Sequence, residues 1–170
     1  IKNMKKALLL VPIIAASMAA PSAVQSADAG KTGFKAGAAV VSVTPEAFPV
    51  LINGGMTSHS ADKVNTDVNA RALVLDDGNP KNRLAIVVTD SCMMPTELLN
   101  EAKKLAAEST SIAPDHMLIS ATHSHSAPSS FGCLGTDADP VYQTLLVKRL
   151  AKAIAAAEKN LEPSRFGWTV

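Results

Sequence analysis

The stretch from residue 83 to residue 121 constrains the fold of this chain more than any other. Residues 83–89 form an almost continuous apolar run, which is typical of a strand covered on both faces. Apolar residues then recur at helical spacing from Thr96, the expected N-cap, to residue 108. A second apolar run occupies residues 117–121. Strand, helix and strand in this order predict two parallel strands joined by a right-handed crossover.

Two further strands are predicted before this unit. Residues 34–43 are rich in valine, and residues 70–75 form a short apolar run. The turn-rich residues 76–82 separate the second of these from the crossover unit, so an antiparallel hairpin is expected there. Residues 46–68 have little regular pattern but contain Asn53-Gly54-Gly55, which indicates a turn with positive φ. A loop of this length in a compact domain is usually functional.

A long helix is predicted to begin at Asp139-Pro140, with aspartate as the N-cap and proline in the first helical position. Its expected buried face comprises Val141, Leu145, Leu146, Leu150, Ile154 and Ala157. A fifth strand is expected near Phe166, where the chain stops without a closing turn. The pattern predicts an α/β fold: a mixed sheet with an N-terminal hairpin, a parallel β-α-β unit and helices packed on the sheet. The abrupt end indicates a fragment of a larger, sandwich-like domain.

Residues 1–29 have the pattern of a secretory signal peptide. Lys2, Lys5 and Lys6 precede the apolar residues 7–20. Ala27-Asp28-Ala29 fits a cleavage site, and Val24-Gln25-Ser26 is a second option. An uncleaved membrane anchor is the alternative, although the apolar core is short for a span. The expected location is therefore the periplasm or the extracellular space, with residues 30–170 as the mature part.

Composition excludes nucleic acid as a partner and leaves open whether the two cysteines form a disulfide. The chain carries 16 basic and 15 acidic residues without a basic block, so it lacks the electrostatic character of a nucleic-acid-binding protein. Cys92 and Cys133 are its two cysteines. They could pair in an oxidising compartment, but two cysteines do not define a disulfide framework.

Polar residues follow both strands of the predicted parallel pair. Asp90 ends the first strand, and His123-Ser124-His125 follow the second. Ligands of such units gather beyond the carboxyl ends of the strands, which lie at one edge of the sheet. On an extended backbone His123 and His125 would point to the same side and could share one metal ion, or divide between ion and substrate. The alternative is a surface loop with two polar residues. His59, in the long loop, and His116, at the opposite edge, are less well placed.

The stretch ATHSHSAP, residues 121–128, resembles the T-H-T-H-S-G/A-P signature of the neutral/alkaline ceramidases. Softer matches follow in the family's order along residues 34–170: Gly37-Ala38-Ala39, Val43-Thr44-Pro45, Asn53-Gly54-Gly55-Met56, Asp67 with Ala70-Arg71-Ala72-Leu73, and Val87-Val88-Thr89-Asp90. One departure is Ser129-Ser130, which stands where the family usually has glycines. The chain thus resembles the N-terminal part of a ceramidase catalytic domain.

The resemblance implies a zinc-dependent amidohydrolase that cleaves the N-acyl bond of ceramide into sphingosine and a fatty acid. One histidine of the pair would bind Zn²⁺ and the other would contact substrate. We assign zinc to His123 and the catalytic, substrate-facing role to His125. Asp90 is the second candidate catalytic residue, expected to hold an imidazole or a loop amide. The substrate would be a lipid, which would bring the protein into contact with membrane surfaces.

The family's other zinc ligands and its active-site serine have no counterpart in these residues, so this piece alone is expected to be inactive. Two other functions fit the same sequence. One is a different exported metallohydrolase of the esterase type. The other is a ceramidase-like binding module without catalysis. The sequence leaves the oligomeric state open.

Overall fold

The computed structural model describes residues 33–168, and the predicted signal peptide lies outside them. Seven strands and two helices follow one another as β1 Lys35–Ser42, β2 Val50–Ile52, β3 His59–Ala61, β4 Asn69–Asp76, β5 Leu84–Thr89, α1 Thr96–Ala107, β6 Met117–Ala121, α2 Pro140–Lys159 and β7 Glu162–Pro163. Short 3₁₀ turns precede β5 and β6, at Pro80–Asn82 and Pro114–His116.

The main sheet has five strands in the order β6-β5-β4-β1-β7. Strand β4 pairs antiparallel with both β1 and β5, which confirms the predicted hairpin. Strand β6 pairs parallel with β5, and α1 connects them. The prediction of an α/β fold on a mixed sheet with one β-α-β unit is therefore confirmed.

Local sequence explains how α2 begins and which face it buries. The Asp139 carboxylate accepts hydrogen bonds from the amides of Val141 and Tyr142 at 3.1 and 3.0 Å, as an N-cap does. The buried stripe is Tyr142, Leu146, Val147, Leu150, Ala151, Ala153, Ile154 and Ala157. The prediction for Val141 was wrong, because its side chain is 68% exposed and Tyr142 takes the place on the stripe. In α1 the N-cap is Pro95 without a side-chain bond, so the prediction of Thr96 was also wrong.

The segment between β1 and β4 is more regular than its sequence indicates. Strands β2 and β3 pair antiparallel as a separate two-stranded ribbon inside residues 46–68. Each has three residues, which is too short for an alternation pattern to be visible in sequence. The ribbon is attached to the site region through an isolated bridge between Ile52 and Pro128.

The last strand begins earlier than predicted. After α2, the Asn160 side-chain amide donates to the Ala38 carbonyl at 2.9 Å and brings the chain against β1 at once. Strand β7 therefore pairs with Lys35 and Ala36. Phe166 lies outside any strand and is 65% exposed. The centroid of its ring is 6.5 Å from the centroid of the Phe34 ring.

Both helices pack on one face of the sheet and bury its inward residues. In β5, Ala85 and Val87 are buried, whereas Leu84 and Val88 are more than a third exposed. The expectation that this strand is covered on both faces is wrong for residues 33–168, because no layer among them lies on the second face. In the same part of the chain, no helix has the length and apolar character needed to cross a bilayer.

Candidate functional site

The candidate site lies where β5 and β6 end. Parallel pairing continues beyond both strands, with the Thr122 amide donating to the Thr89 carbonyl at 2.9 Å and the Ser124 amide donating to the Ser91 carbonyl at 3.1 Å. The residues after each strand therefore stay side by side. This brings Asp90 to Cys92 next to His123 to His125, as the topology predicts.

The two histidines meet, but through a different backbone geometry from the one expected. Strand β6 ends at Ala121, and His123 has a φ of 62°. This left-handed conformation is uncommon for a residue other than glycine and clusters at functional positions. The rings of His123 and His125 contact each other edge to face, with centroids 4.7 Å apart and planes at 73°. A turn, and not alternation along a strand, brings the imidazoles together.

Cys92 fixes the orientation of the first imidazole. The His123 Nδ1–H donates to the Cys92 carbonyl oxygen at 2.9 Å. Because a carbonyl only accepts, the ring carries its proton on Nδ1, and the lone pair on Nε2 is free for a metal. Metal-binding histidines are commonly held in this way by a backbone carbonyl.

The thiol of the same residue completes a group of three donors. One ligand atom from each of Cys92, His123 and His125 lies within 4.8 Å of the other two. Both imidazoles are exposed, whereas Cys92 is buried. Sulfur and imidazole nitrogen are the donors that zinc prefers in proteins, so these residues fit that ion in chemistry and in proximity. Sequence reasoning missed Cys92 as a candidate ligand, because only the strand register brings it beside the histidines.

The two thiols of the chain are free and close to one another. Burial raises the pKa of the Cys92 thiol, and the neighbouring Cys133 raises it further. Cys133 in turn donates to the Asn53 Oδ1 at 3.3 Å. The Cys92–Cys133 disulfide, which the sequence leaves open, is absent from the structure, where both cysteines are free.

The glycine turn predicted at Asn53-Gly54-Gly55 supports the second imidazole. Gly54 has a φ of 98°, and a Cβ added there would lie 2.6 Å from the Cβ and Cγ of His125. The buried Asn53 amide donates to the Ser129 hydroxyl at 2.9 Å and to the Phe131 carbonyl at 2.7 Å, which ties this turn to the chain beyond the histidines. Only glycine can approach His125 this closely in this conformation.

Asp90 lies at the same edge of the sheet as the two histidines, but its carboxylate is hydrogen-bonded to residues of β4. Its carboxylate accepts from the Arg71 guanidinium at 2.8 Å and from the Asn69 amide at 3.0 Å. Burial acts to raise the pKa of this carboxyl, but those hydrogen bonds and the Arg71 charge outweigh it and hold the pKa below its ordinary value. The carboxylate thus holds a backbone amide at the start of β4, and within residues 33–168 it accepts no hydrogen bond from either imidazole.

An open cavity of about 490 Å³ adjoins the histidine pair on the side of Asp90. Its walls come from residues 44–68, together with Asp90, Ser124, Ser126 and Pro128. His59, which the sequence left unplaced, lines it too, whereas His123 and His125 do not. Ser124 therefore faces the cavity from between the two histidines. His116 lies at the opposite edge, as expected, with its Nδ1 3.1 Å from the Arg83 carbonyl oxygen.

Comparison with known proteins gives a consistent result for the fold. No protein-family model matches the chain. Neutral ceramidase from Pseudomonas aeruginosa superimposes with a TM-score of 0.68 at 20% identity, over 78% of this chain and 22% of that one. A ceramidase complexed with C2 gives a TM-score of 0.63 at 21% identity, with the same coverage. The matched region thus spans 22% of the length of these ceramidases, and the resemblance found in the sequence is confirmed at the level of the fold. This chain has the fold of one part of neutral ceramidase.

Proposed function

We propose that this chain forms part of a zinc-dependent amidohydrolase that cleaves the N-acyl bond of ceramide or a related N-acyl lipid into a fatty acid and an amine. The observation that carries the proposal is the contact between His123 and His125, with ring centroids 4.7 Å apart, at the carboxyl edge of a ceramidase-like sheet. This chain corresponds to 22% of the length of the matched ceramidase, so the proposed activity is that of the intact protein.

His123 would hold the zinc ion through Nε2. Its Nδ1–H is already engaged by the Cys92 carbonyl at 2.9 Å, so the ring presents one defined lone pair. The bound ion would polarise the amide carbonyl and lower the pKa of a coordinated water. A single histidine does not retain zinc, so further ligands are required.

His125 would act on the substrate. Its ring is exposed and stands edge-on to that of His123, with Gly54 directly beneath it. In the reaction, the water oxygen bonds to the acyl carbon, the carbon–nitrogen bond breaks, and the leaving amine takes up a proton. An imidazole in this position can orient the carbonyl or supply that proton. Asp90 would support the site by accepting a hydrogen bond from the Asn69 amide, which fixes the start of β4.

The cavity beside Ser124 fits part of a lipid substrate. Phe48, Val50, Ile52 and Val64 give it apolar walls, while Asp90, His59 and Ser124 add polar groups. Such a mixed lining suits an aliphatic chain that ends in a hydroxylated or amide-bearing head. We also propose that the protein is exported and meets its substrate at membrane surfaces, which rests on the signal pattern of residues 1–29.

The test uses the intact protein, an N-acylated sphingoid base and a chelator. Fatty acid release should stop when zinc is removed and return when zinc is added back. His123→Ala should lose both bound zinc and activity, whereas His116→Ala, at the opposite edge, should keep both. If His123→Ala retains its zinc and its rate, the assignment fails.

A substrate panel decides between the proposed function and its alternatives. Matched amide and ester substrates with the same acyl chain should show hydrolysis of the amide. Faster cleavage of the ester would favour an esterase-type metallohydrolase. Lipid binding without any turnover by the zinc-loaded protein would favour a binding module.

A further inference from the structure

We propose that His59 binds the substrate of the proposed amidohydrolase, through a hydrogen bond that its Nε2 accepts from a hydroxyl group on the amine portion of the lipid. The inference rests on the proposed function for the class of substrate, and it adds a residue that selects among N-acyl lipids. His59 makes the protein prefer N-acyl amino alcohols to N-acyl alkylamines.

Strand register places the His59 side chain on the wall of the cavity beside the histidine pair. His59 pairs with Ile52 across the β2–β3 ribbon, and Ile52 forms a bridge to Pro128 on its other side. Directly paired residues project from the same face of a sheet, and all three of these residues line the cavity. Because neighbouring strands are about 4.8 Å apart, the backbone of His59 lies roughly 10 Å from that of Pro128. His59 is thus two strands away from the segment that carries Ser124 and His125.

The glycine turn supports both imidazoles, one against each glycine. A Cβ added at Gly54 would lie 2.6 Å from the Cβ and Cγ of His125. A Cβ added at Gly55 would lie 2.7 Å from the Cε1 of His59 and 3.0 Å from its Nδ1. Consecutive Cα atoms are about 3.8 Å apart, so the two side chains contact neighbouring points of one turn. The turn therefore couples the position of His59 to that of His125.

One nitrogen of the His59 ring is hydrogen-bonded and the other is free. The Nδ1–H donates to the Thr57 carbonyl oxygen at 3.2 Å. Because a carbonyl only accepts, the lone pair of the neutral ring lies on Nε2. The Nδ1 and Cε1 atoms face Gly55, and the residue is exposed on its other side. Nε2 is therefore available to accept a hydrogen bond from a ligand in the cavity.

The wall around His59 indicates which ligand group reaches that nitrogen. Val50, Ile52 and Pro128 line the same part of the cavity and provide apolar surface for an aliphatic chain. A fatty acyl chain has no hydrogen-bond donor, whereas the amine portion of an N-acyl amino alcohol carries hydroxyl groups. An apolar wall with one acceptor therefore fits an aliphatic amine that has a hydroxyl group close to the amide.

Two substrates that differ only in their hydroxyl groups test the inference on the intact, zinc-loaded protein. One is an N-acyl amino alcohol, and the other is the N-acyl alkylamine with the same acyl and amine chain lengths. For the unmodified protein, kcat/KM should be about tenfold higher for the amino alcohol, the effect of one hydrogen bond. His59→Ala should remove that difference by lowering only the value for the amino alcohol. His116→Ala, the matched control at the opposite edge of the sheet, should keep it.

A binding measurement provides a readout that does not depend on turnover. The metal-stripped protein is titrated calorimetrically with the free amino alcohol and with the free alkylamine. The unmodified protein should bind the amino alcohol about tenfold more tightly, and His59→Ala should bind both amines equally.

The outcomes separate this inference from the proposed function. Equal kcat/KM for the two substrates in the unmodified protein would overturn the role of His59 and leave amide hydrolysis in place. That comparison needs no variant, so a folding defect in His59→Ala leaves the test decisive. A parallel fall for both substrates in His59→Ala would also overturn it, because a purely structural role affects any substrate. If neither amide is hydrolysed but the difference in binding appears and depends on His59, the proposed function fails and recognition of the hydroxyl group stands.

Discussion

Strand β5 has polar clusters at both of its ends, and the two clusters differ in how completely they are satisfied. At the start of the strand, Arg83 donates from Nε to Asp76 at 3.0 Å and from Nη1 to Glu158 at 2.8 Å. Ser111 joins the cluster by donating its hydroxyl to Glu158 at 2.6 Å. This ion-pair cluster joins the β4–β5 turn, the chain after α1 and the end of α2. We call this end of β5 closed, because each charged side chain of the cluster is paired with one of opposite charge.

The other end of β5 is open. Within residues 33–168, the two buried side-chain polar atoms without a hydrogen-bond partner are Thr89 Oγ1 and the Tyr142 hydroxyl. Burial raises the pKa of Tyr142, and the negative charge of Asp90 raises it further. The imidazoles of His123 and His125 are exposed at the same end. The first cluster therefore stabilises the fold, while the second leaves the exposed imidazoles of His123 and His125 available for a ligand.

The largest expected effect comes from breaking the closed end. Arg83→Met should lower the free energy of unfolding by about 3–5 kcal/mol, because it leaves the Asp76 and Glu158 carboxylates uncompensated. The Asp76 side chain is 5% exposed, so water cannot replace the guanidinium. Denaturant unfolding of the intact protein measures the loss. Lys81→Met removes an exposed cation nearby and should change stability by less than about 0.5 kcal/mol.

The pH dependence provides a second check on the same variant. Burial opposes ionisation of Asp76 and Glu158, but hydrogen bonds and the Arg83 charge hold the pKa of each below its ordinary value, 3.8 and 4.5. A depressed folded-state pKa contributes stability that is present above the unfolded value and is lost as pH falls through the folded value. The unmodified protein should therefore lose stability on acidification below these values. An equally steep loss in Arg83→Met would contradict the role given to this cluster.

The next effect concerns the support of His125. Gly54→Ala should lower the rate of the proposed amide hydrolysis roughly 100-fold, because the new methyl group would lie 2.6 Å from the Cβ and Cγ of His125 and displace the ring. Positive φ adds a stability cost of about 1–2 kcal/mol for a residue with a Cβ. The rate constant kcat should fall while bound zinc stays, since His123 is untouched.

Gly132→Ala is the matched control for that substitution. A Cβ at Gly132 has ordinary contacts, with its nearest atom 3.6 Å away, and the residue lies in the loop beyond the histidines. This variant should keep both rate and zinc. Loss of zinc in Gly54→Ala would show that His125 is a metal ligand, and equal rates in the two variants would remove Gly54 from the site.

The elements that the sequence predicts well are those decided by local chemistry. The apolar runs before and after α1, the Asp139-Pro140 helix start and the turn between β4 and β5 all follow from periodicity, capping and turn residues. Parallel topology then brings Asp90 to the edge of the sheet at which His123 and His125 lie, without any motif. That much of the candidate site was accessible before a structure.

The remaining features depend on contacts that a local pattern does not contain. The positive φ of His123, the hydrogen bond from its ring to the Cys92 carbonyl, and the packing of Gly54 under His125 join residues distant in sequence. Val141 was misplaced for a related reason. Its apolar side chain fits a helical face by type, but the sheet selects the stripe that begins with Tyr142.

The smallest expected effect tests the open end directly. Tyr142→Phe removes a buried hydroxyl that has no partner within residues 33–168, so it should raise the free energy of unfolding by up to about 1 kcal/mol. Ser111→Ala is its counterpart at the closed end, where the hydroxyl is bonded to Glu158 and to Arg83, and should lower stability by about 1 kcal/mol. Denaturant unfolding of both variants gives two changes of opposite sign.

Opposite signs are required if one end of β5 is closed and the other open. A loss of about 1–3 kcal/mol in Tyr142→Phe would mean that the hydroxyl has a partner in the intact protein. The contrast between the two clusters would then fail, because the site end would be as fully satisfied as the ion-pair end. A gain in Tyr142→Phe with no change in the proposed zinc binding would instead show that this hydroxyl is a buried polar group that the proposed metal site does not use.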